Sequence, residues 1–338
     1  MVDMNDERIN KEILRLKEKG IGLNCVDNLY QVARLTLSIN ELKKKRNAVI
    51  AAHVYQRSEI ILGVSDFVGD SYKLAKECSK INADIMIFAG VKFMAETAKI
   101  LNYDKKVFIP SMEAGCSLSD SITQKDVLEL KKKYPDAPVV TYINTTAAVK
   151  AVCDVVVTSS NAEKILKKLF EKYQKIIFIP DKFMGRNLAK KLKKEVGKDI
   201  ILWNGSCVVH ENFDSEIIKE YRKKHPDMMV LAHSECPSKI IENSDFMGST
   251  SDMIEQIRNT NASYYMLVTE CGLGELAVSM FPDKKFIAMC RLCPYMKMIT
   301  LENILYTLEN LPKEREVLIE KDIAIRAKKA IDKMFEFS

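Results

Sequence analysis

Cys116, Cys207 and Cys293 stand in loops of similar make-up: Glu113-Ala-Gly-Cys-Ser-Leu, Trp203-Asn-Gly-Ser-Cys-Val-Val-His and Cys290-Arg-Leu-Cys-Pro-Tyr-Met-Lys. Two of the three have glycine close upstream, which permits a tight backbone turn around a bulky group. Taken singly, each reads as a buried structural thiol, a common fate for cysteine. Taken together, three thiolates could hold zinc or an iron–sulfur cluster. Three protein ligands on a cubane leave one iron open, and an open metal acts as a Lewis acid on hydroxyl or carboxylate oxygen. That chemistry favours dehydration over electron transfer.

The chain has four histidines, and three stand beside this chemistry. His53 and His233 close two apolar runs, Tyr142 takes the equivalent place in a third, and His210 follows Cys207 by three residues. Tyr55, Asn144 and Glu235 lie two residues further on, on the same side of an extended chain. Glu235 and Tyr55 suit acid–base work. Ser71, Ser159 and Thr250 precede helical patterns, where free N–H groups favour carboxylate or phosphate. Such a set around an open metal fits a small polyanionic substrate. His225, in Lys-Lys-His-Pro-Asp, reads as a surface loop residue.

Nine cysteines is high for a reduced compartment, and an odd count argues against a full disulfide framework. Cys25, Cys78 and Cys153 read as packing in helical stretches, while Cys236 and Cys271 fall in loops near the expected site. Cys290-x-x-Cys293 resembles a redox pair, and closing it would remove Cys293 from a metal.

The elements that must position these groups form a repeat of about ninety residues. Ala48–His53, Val139–Asn144 and Met229–His233 are short apolar runs closed by a polar or ring-bearing residue, as in buried parallel strands. Seventeen or eighteen residues on come Ser71, Ser159 and Thr250. A second strand follows (84–88, 175–179, 264–268), then a loop and helix, then a third strand (106–109, 200–203, 285–288). From strand-end residue to cysteine the spacing is 63, 65 and 60 residues. Three βαβαβ-like units imply parallel sheets covered on both faces, with functional groups at the carboxyl ends of strands. Packed around a pseudo-threefold axis, such units would bring their cysteines together.

With 338 residues, 47% of them hydrophobic, the chain has material for several cores. No apolar run approaches the roughly 20 residues of a membrane span, and the charged N-terminus lacks a signal peptide's apolar stretch. A cytoplasmic protein is expected. The net charge of +6 is spread along helices without aromatic interleaving, so no nucleic-acid partner is expected.

The motifs His53-Val-Tyr-Gln, Gly69-Asp-Ser, Gly90-Val-Lys-Phe-Met-Ala-Glu-Thr-Ala, Ala114-Gly-Cys-Ser-Leu, Thr141-Tyr-Ile-Asn-Thr, Thr158-Ser-Ser-Asn-Ala, Trp203-Asn-Gly-Ser-Cys-Val-Val-His, His233-Ser-Glu-Cys, Gly248-Ser-Thr-Ser and Cys293-Pro-Tyr-Met-Lys together resemble the quinolinate synthase family. The resemblance runs in order from about residue 48 to 310. It implies condensation of iminoaspartate with dihydroxyacetone phosphate to quinolinate, phosphate and water, in NAD biosynthesis. It also implies a 4Fe–4S cluster on Cys116, Cys207 and Cys293 with one iron open, and a functional link to the enzyme supplying iminoaspartate. Substrate contacts carry over to His53, Ser71, Tyr142, Asn144, Ser159, His233, Glu235 and Thr250, with neighbouring Ile143 and Ser234. Catalytic roles fall to Glu235, Tyr55 and His210. The implied fold is three α/β/α sandwiches around a pseudo-threefold axis: a helical extension (1–40), unit one (41–125, completed by helices in 294–338), unit two (126–212) and unit three (213–293). Ser234 departs from the family's usual proline, and the segment from His53 to Ser71 is one residue longer than usual. The rival readings are an aconitase-like dehydratase and a non-catalytic redox-sensing or zinc-binding interaction protein.

Overall fold

Aliphatic runs too short for membrane spans, each bounded by turn residues, form three four-stranded parallel sheets. The computed structural model describes residues 6–21, 28–78, 80 and 82–338, and Cys25 lies outside them. The first sheet holds β1 (Ala48–His53), β2 (Phe67–Gly69), β3 (Ile85–Ala89) and β4 (Lys106–Phe108) in the order β2-β1-β3-β4. The second holds β5 (Val139–Tyr142), β6 (Val155–Val157), β7 (Ile176–Ile179) and β8 (Ile200–Leu202), ordered β6-β5-β7-β8. The third holds β9 (Met229–His233), β10 (Phe246–Gly248), β11 (Tyr265–Val268) and β12 (Phe286–Ala288), ordered β10-β9-β11-β12. Helices flank each sheet, so the central strands are buried along their length, as parallel sheets require.

The repeat predicts three strands per unit, and the structure has four. Each extra strand is a three-residue edge segment, too short to show periodicity, that pairs with the first strand of its sheet. A repeated aspartate begins each edge. Asp66, Asp154 and Asp245 accept the N–H of Ile50, Val139 and Val230, each at 2.8 Å. Their own N–H groups return bonds of 2.9 Å to the carbonyls of the same three residues. A base from the helix before the first strand meets each carboxylate: Lys43 at 2.7 Å, Lys131 at 3.0 Å and Arg222 at 2.9 Å. The aspartate thus closes the sheet edge and fastens the helix over it.

Strand register settles the longer segment before Ser71. His53 pairs with Gly69, Tyr142 with Val157 and His233 with Gly248. Ser71, Ser159 and Thr250 therefore each lie two residues past the partner of a strand-end ring. The extra residue is absorbed ahead of β2, and the hydroxyls stay equivalent. Ser71 and Thr250 open helices Ser71–Cys78 and Thr250–Asn259. Ser159 does not begin one: its helix starts at Ala162 behind Asn161, whose side chain turns back onto the Thr158 N–H.

Helix Leu29–Lys45 packs on β1 and on helix Leu301–Asn310, and helix Asp6–Glu18 packs against it. The final helix, Lys321–Phe337, lies on β6 and against helices Lys92–Leu101, Ala147–Lys150 and Ala162–Phe170. It presents Ala324, Ala327, Ala330, Ile331 and Met334 inward, an apolar stripe at helical spacing. Among the described residues no helix is long and apolar enough to cross a membrane.

Asp154→Ala leaves the buried Val139 N–H without its side-chain acceptor, at a cost of about 1–3 kcal/mol. A urea midpoint within error of the parent would show that this edge does not depend on its aspartate.

Candidate active site at the cysteine loops

After the last strand of each sheet the chain turns through its cysteine, and the turn is the same in all three. The carbonyls of Cys116, Cys207 and Cys293 accept the N–H four residues on, from Asp120 (2.9 Å), Glu211 (3.0 Å) and Lys297 (3.1 Å). The main-chain N–H groups two and three residues on work against the rise that burial gives each thiol pKa: Leu118 and Ser119, Val209 and His210, Tyr295 and Met296. Cys116 stands at the N-cap position of helix Ser117–Asp120 without a side-chain cap bond. A helix start also favours a thiolate over a thiol.

The three cysteines line one cavity enclosing ≈ 650 Å³ of non-atom space, open solvent at its mouth included. His53, Tyr142 and His233 reach it from the strand ends, and Ser71, Ser159 and Thr250 from the edge-strand exits. Tyr55, Asn144, His210 and Glu235 add to the polar lining, with Asp70, Ser117 and Tyr295. Ile143 and Ser234 do not line it. They are buried behind the wall, where their N–H groups hold Val157 O (2.8 Å) and Gly248 O (3.3 Å). Val54 makes the matching bond to Gly69 O. Ser234 thus keeps a repeat hydrogen bond that proline, lacking an N–H, could not make. The Asn187 amide donates to Ser234 O (3.0 Å) and Cys236 O (2.8 Å), bracing Glu235 from both sides.

Glu235 is the electrostatic centre. Tyr142 donates its hydroxyl to Oε1 at 2.5 Å, His210 Nδ1 lies 2.9 Å from Oε2, and His233 Nδ1 lies 3.7 Å from Oε1. Burial alone would raise its pKa. The pull of His210, with hydrogen bonds from His210 and Tyr142, outweighs burial and holds the carboxyl below the usual range. Burial pushes His53 and His233 down to about 4, so both rings are neutral at neutral pH. Burial and then the Glu235 charge hold Tyr55 and Tyr142 well above 10, as protonated donors. The His210 and His233 rings stack at 4.7 Å.

The donor set fits a metal cluster. Burial pushes Cys116 up to about 12 and raises Cys207 and Cys293, so without a metal the thiols stay protonated. The thiols also sense one another: Cys293 contributes to the rise at Cys116, and Cys116 to that at Cys207. A second constellation overlaps it: Cys207 Sγ, a His210 ring nitrogen and a Glu235 oxygen lie within 4.8 Å of one another.

Among the other cysteines, the pairing of Cys290 differs from the sequence reading. Cys290 does not pair with Cys293; it is joined to Cys271, with Cα atoms 4.9 Å apart. The bridge between Glu270 and Arg291 sets those two residues side by side. Cys78 and Cys236 are buried, and Cys153 bonds Val149 O just past a short helix. His225 caps helix Ser215–Lys224 and packs its ring on Tyr264. Thr269 and Glu270 escape the sequence reading. Thr269 Oγ1 bonds both Tyr55 OH (2.6 Å) and His210 Nε2 (3.0 Å). Their one sequence signal is position: they follow β11 as Pro180-Asp181 follows β7.

Three like α/β sheets that direct strand ends, edge exits and cysteine turns into one thiol-lined cavity define a class of repeated α/β protein. The family model described as Quinolinate synthetase A protein (NadA) matches residues 37–336, and the chain belongs to that family. It is 46% identical over 299 residues to a quinolinate synthase of Agrobacterium fabrum, covering 88% of this chain and 84% of the relative. It is 46% identical over 343 residues to one of Xylella fastidiosa (strain 9a5c), covering 97% and 99%. A Caulobacter vibrioides quinolinate synthase shares 43% over 306 residues, covering 90% and 82%.

His53 and His233 give the site a pH signature. Their folded pKa of about 4 lies below the ordinary 6.5, so the unfolded chain takes up protons first on acidification. The stability they support is full above the ordinary value and falls as pH drops from about 6.5 to about 4, by up to about 3 kcal/mol each. In urea titrations of metal-free protein, His53→Gln/His233→Gln should flatten that slope. A double variant as acid-sensitive as the parent contradicts the assignment.

Proposed function

We propose that this chain is a quinolinate synthase that condenses iminoaspartate with dihydroxyacetone phosphate to quinolinate, releasing phosphate and water. The observation that carries the reading is the cysteine turn, closed by the same main-chain bond in three units and facing one cavity. Cys116, Cys207 and Cys293 would hold a 4Fe–4S cluster with one iron open. When bound, that cluster supplies a Lewis acid for substrate oxygen or nitrogen.

The protein's own groups account for the rest. Asn144 Oδ1 and Thr250 Oγ1 are buried without a hydrogen-bond partner, a state that costs free energy until a ligand pairs them. Thr250 Oγ1, with Ser71, Ser159 and the helix starts at Ser71 and Thr250, would take phosphate and carboxylate oxygens, while Asn144 Oδ1 would accept a substrate N–H or O–H. No lysine or arginine lines the cavity among the described residues, so neutral donors would carry that anion binding. Phosphate would leave as a dispersed anion held by those donors. Glu235, ionised, would accept the proton removed as the triose isomerises and the ring closes, and Tyr142 would return one to departing oxygen. Tyr55, joined to His210 through Thr269, extends the relay. The net reaction consumes no electron, so a non-redox role for the cluster balances it.

The same proposal includes the unit boundaries 41–125, 126–212 and 213–293 about a pseudo-threefold axis, with residues 1–40 as an extension; of 294–338, expected to complete unit one, helix Leu301–Asn310 packs there, while helix Lys321–Phe337 lies chiefly on β6 of unit two. It also includes a cytoplasmic step of NAD biosynthesis fed by an enzyme that makes iminoaspartate. The Cys207–His210–Glu235 constellation supports a second reading, a single zinc ion.

Iron, sulfide and zinc counted per chain after anaerobic purification separate the two. Cys116→Ala should abolish iron and sulfide under the cluster reading and leave zinc untouched under the other. Glu235→Gln should lower quinolinate formation by about 100-fold or more with iron retained. Parallel loss of iron would make Glu235 structural instead.

A further inference from the structure

Glu270, at the exit of β11, is buried, and its carboxylate joins parts of the site drawn from distant stretches of chain. Oε1 accepts the Cys293 N–H at 3.1 Å and lies 3.1 Å from Lys297 Nζ. Oε2 accepts the Gly272 N–H at 2.6 Å, which caps helix Cys271–Met280. Lys297 in turn donates to the Tyr55 carbonyl at 2.6 Å. The pair is shut from water: 0% of the Glu270 side chain and 12% of the Lys297 side chain are exposed. At Gly272 a Cβ would sit 2.9 Å from the Tyr55 Cα and carbonyl carbon, so only glycine lets this helix start come so close.

We propose that Glu270 and Lys297 are positioning residues that set the Cys293 turn and the Tyr55 main chain in fixed register across the cavity. This rests on the reading of Cys293 as cluster ligand and Tyr55 as a member of the reacting pocket. Glu270 fixes the N–H at the start of the ligand turn, and Lys297 carries that fixed point to Tyr55. Thr269, one residue earlier, holds the Tyr55 hydroxyl, so neighbouring residues grip both ends of that tyrosine. Neither charge lines the cavity. Their effect on the reaction is therefore through Cys293 and Tyr55.

Removing one partner strands a buried charge, and such a variant can fail to fold for that reason alone. The decisive variant is Glu270→Gln/Lys297→Met, which removes both charges while keeping similar shape. Iron release to a chelator, quinolinate turnover and thermal midpoint are measured on the reconstituted holoenzyme and on this variant. The proposal predicts a midpoint near the parent's, iron release faster by about tenfold or more, and turnover lower by a similar factor. Iron release and turnover both at the parent's rates would overturn it. Gly272→Ala, which keeps both charges, should lower turnover about tenfold with little change in iron release. Unchanged turnover there would overturn the claim on Tyr55. If the parent holds iron but makes no quinolinate, the proposed activity fails, and the iron-release comparison still decides the role of the pair.

Discussion

At the end of each sheet the carbonyl of a cysteine accepts the N–H four residues on, and that main-chain bond closes the turn that carries the sulfur. The interaction holds the cysteine and the next turn together, so the sulfur moves with its turn. Everything the site does depends on three such turns facing one space. They face it because each follows the last strand of a four-stranded parallel sheet, so the sheet's register sets where the sulfur points. The same register sets His53, Tyr142 and His233 at the first strand's end and the hydroxyls of Ser71, Ser159 and Thr250 on the neighbouring edge.

Electrostatics then divides the labour. Glu235 is an ionised carboxylate surrounded by groups that burial keeps neutral: two histidines with depressed pKa and two tyrosines with raised pKa. Neutral donors can grip an anion without the desolvation cost of a buried cation. Positive charge near the site lies behind the wall, at Lys150 and at Lys297, where Glu270 matches it. This arrangement suits a substrate that brings its own negative charge, and a metal that supplies the compensating positive one.

Much of this was legible in the residues. The β-branched runs Ala48–His53 and Met229–His233 coincide with strands, and the spacing from strand end to cysteine identified the three thiols that share the cavity. The second run stops as a strand at Tyr142, because Asn144 already belongs to a turn. The edge strands escaped notice because three residues cannot display a period, although the repeated Asp66, Asp154 and Asp245 marked their starts. The Cys271–Cys290 link was hidden because adjacency along the chain says nothing of which loops a parallel sheet sets side by side. Asn187, Thr269, Glu270 and Lys297 were equally silent. Asn187, Glu270 and Lys297 hold another residue's main chain and Thr269 joins two side chains, and such roles leave no spacing to read.

Iron-edge anomalous diffraction from crystals grown anaerobically tests the central claim most directly. The account predicts one multinuclear iron peak within bonding distance of the sulfurs of Cys116, Cys207 and Cys293, with Glu235 and His210 outside its coordination sphere. A single metal on Cys207, His210 and Glu235, or iron bound by fewer than the three sulfurs, would contradict it.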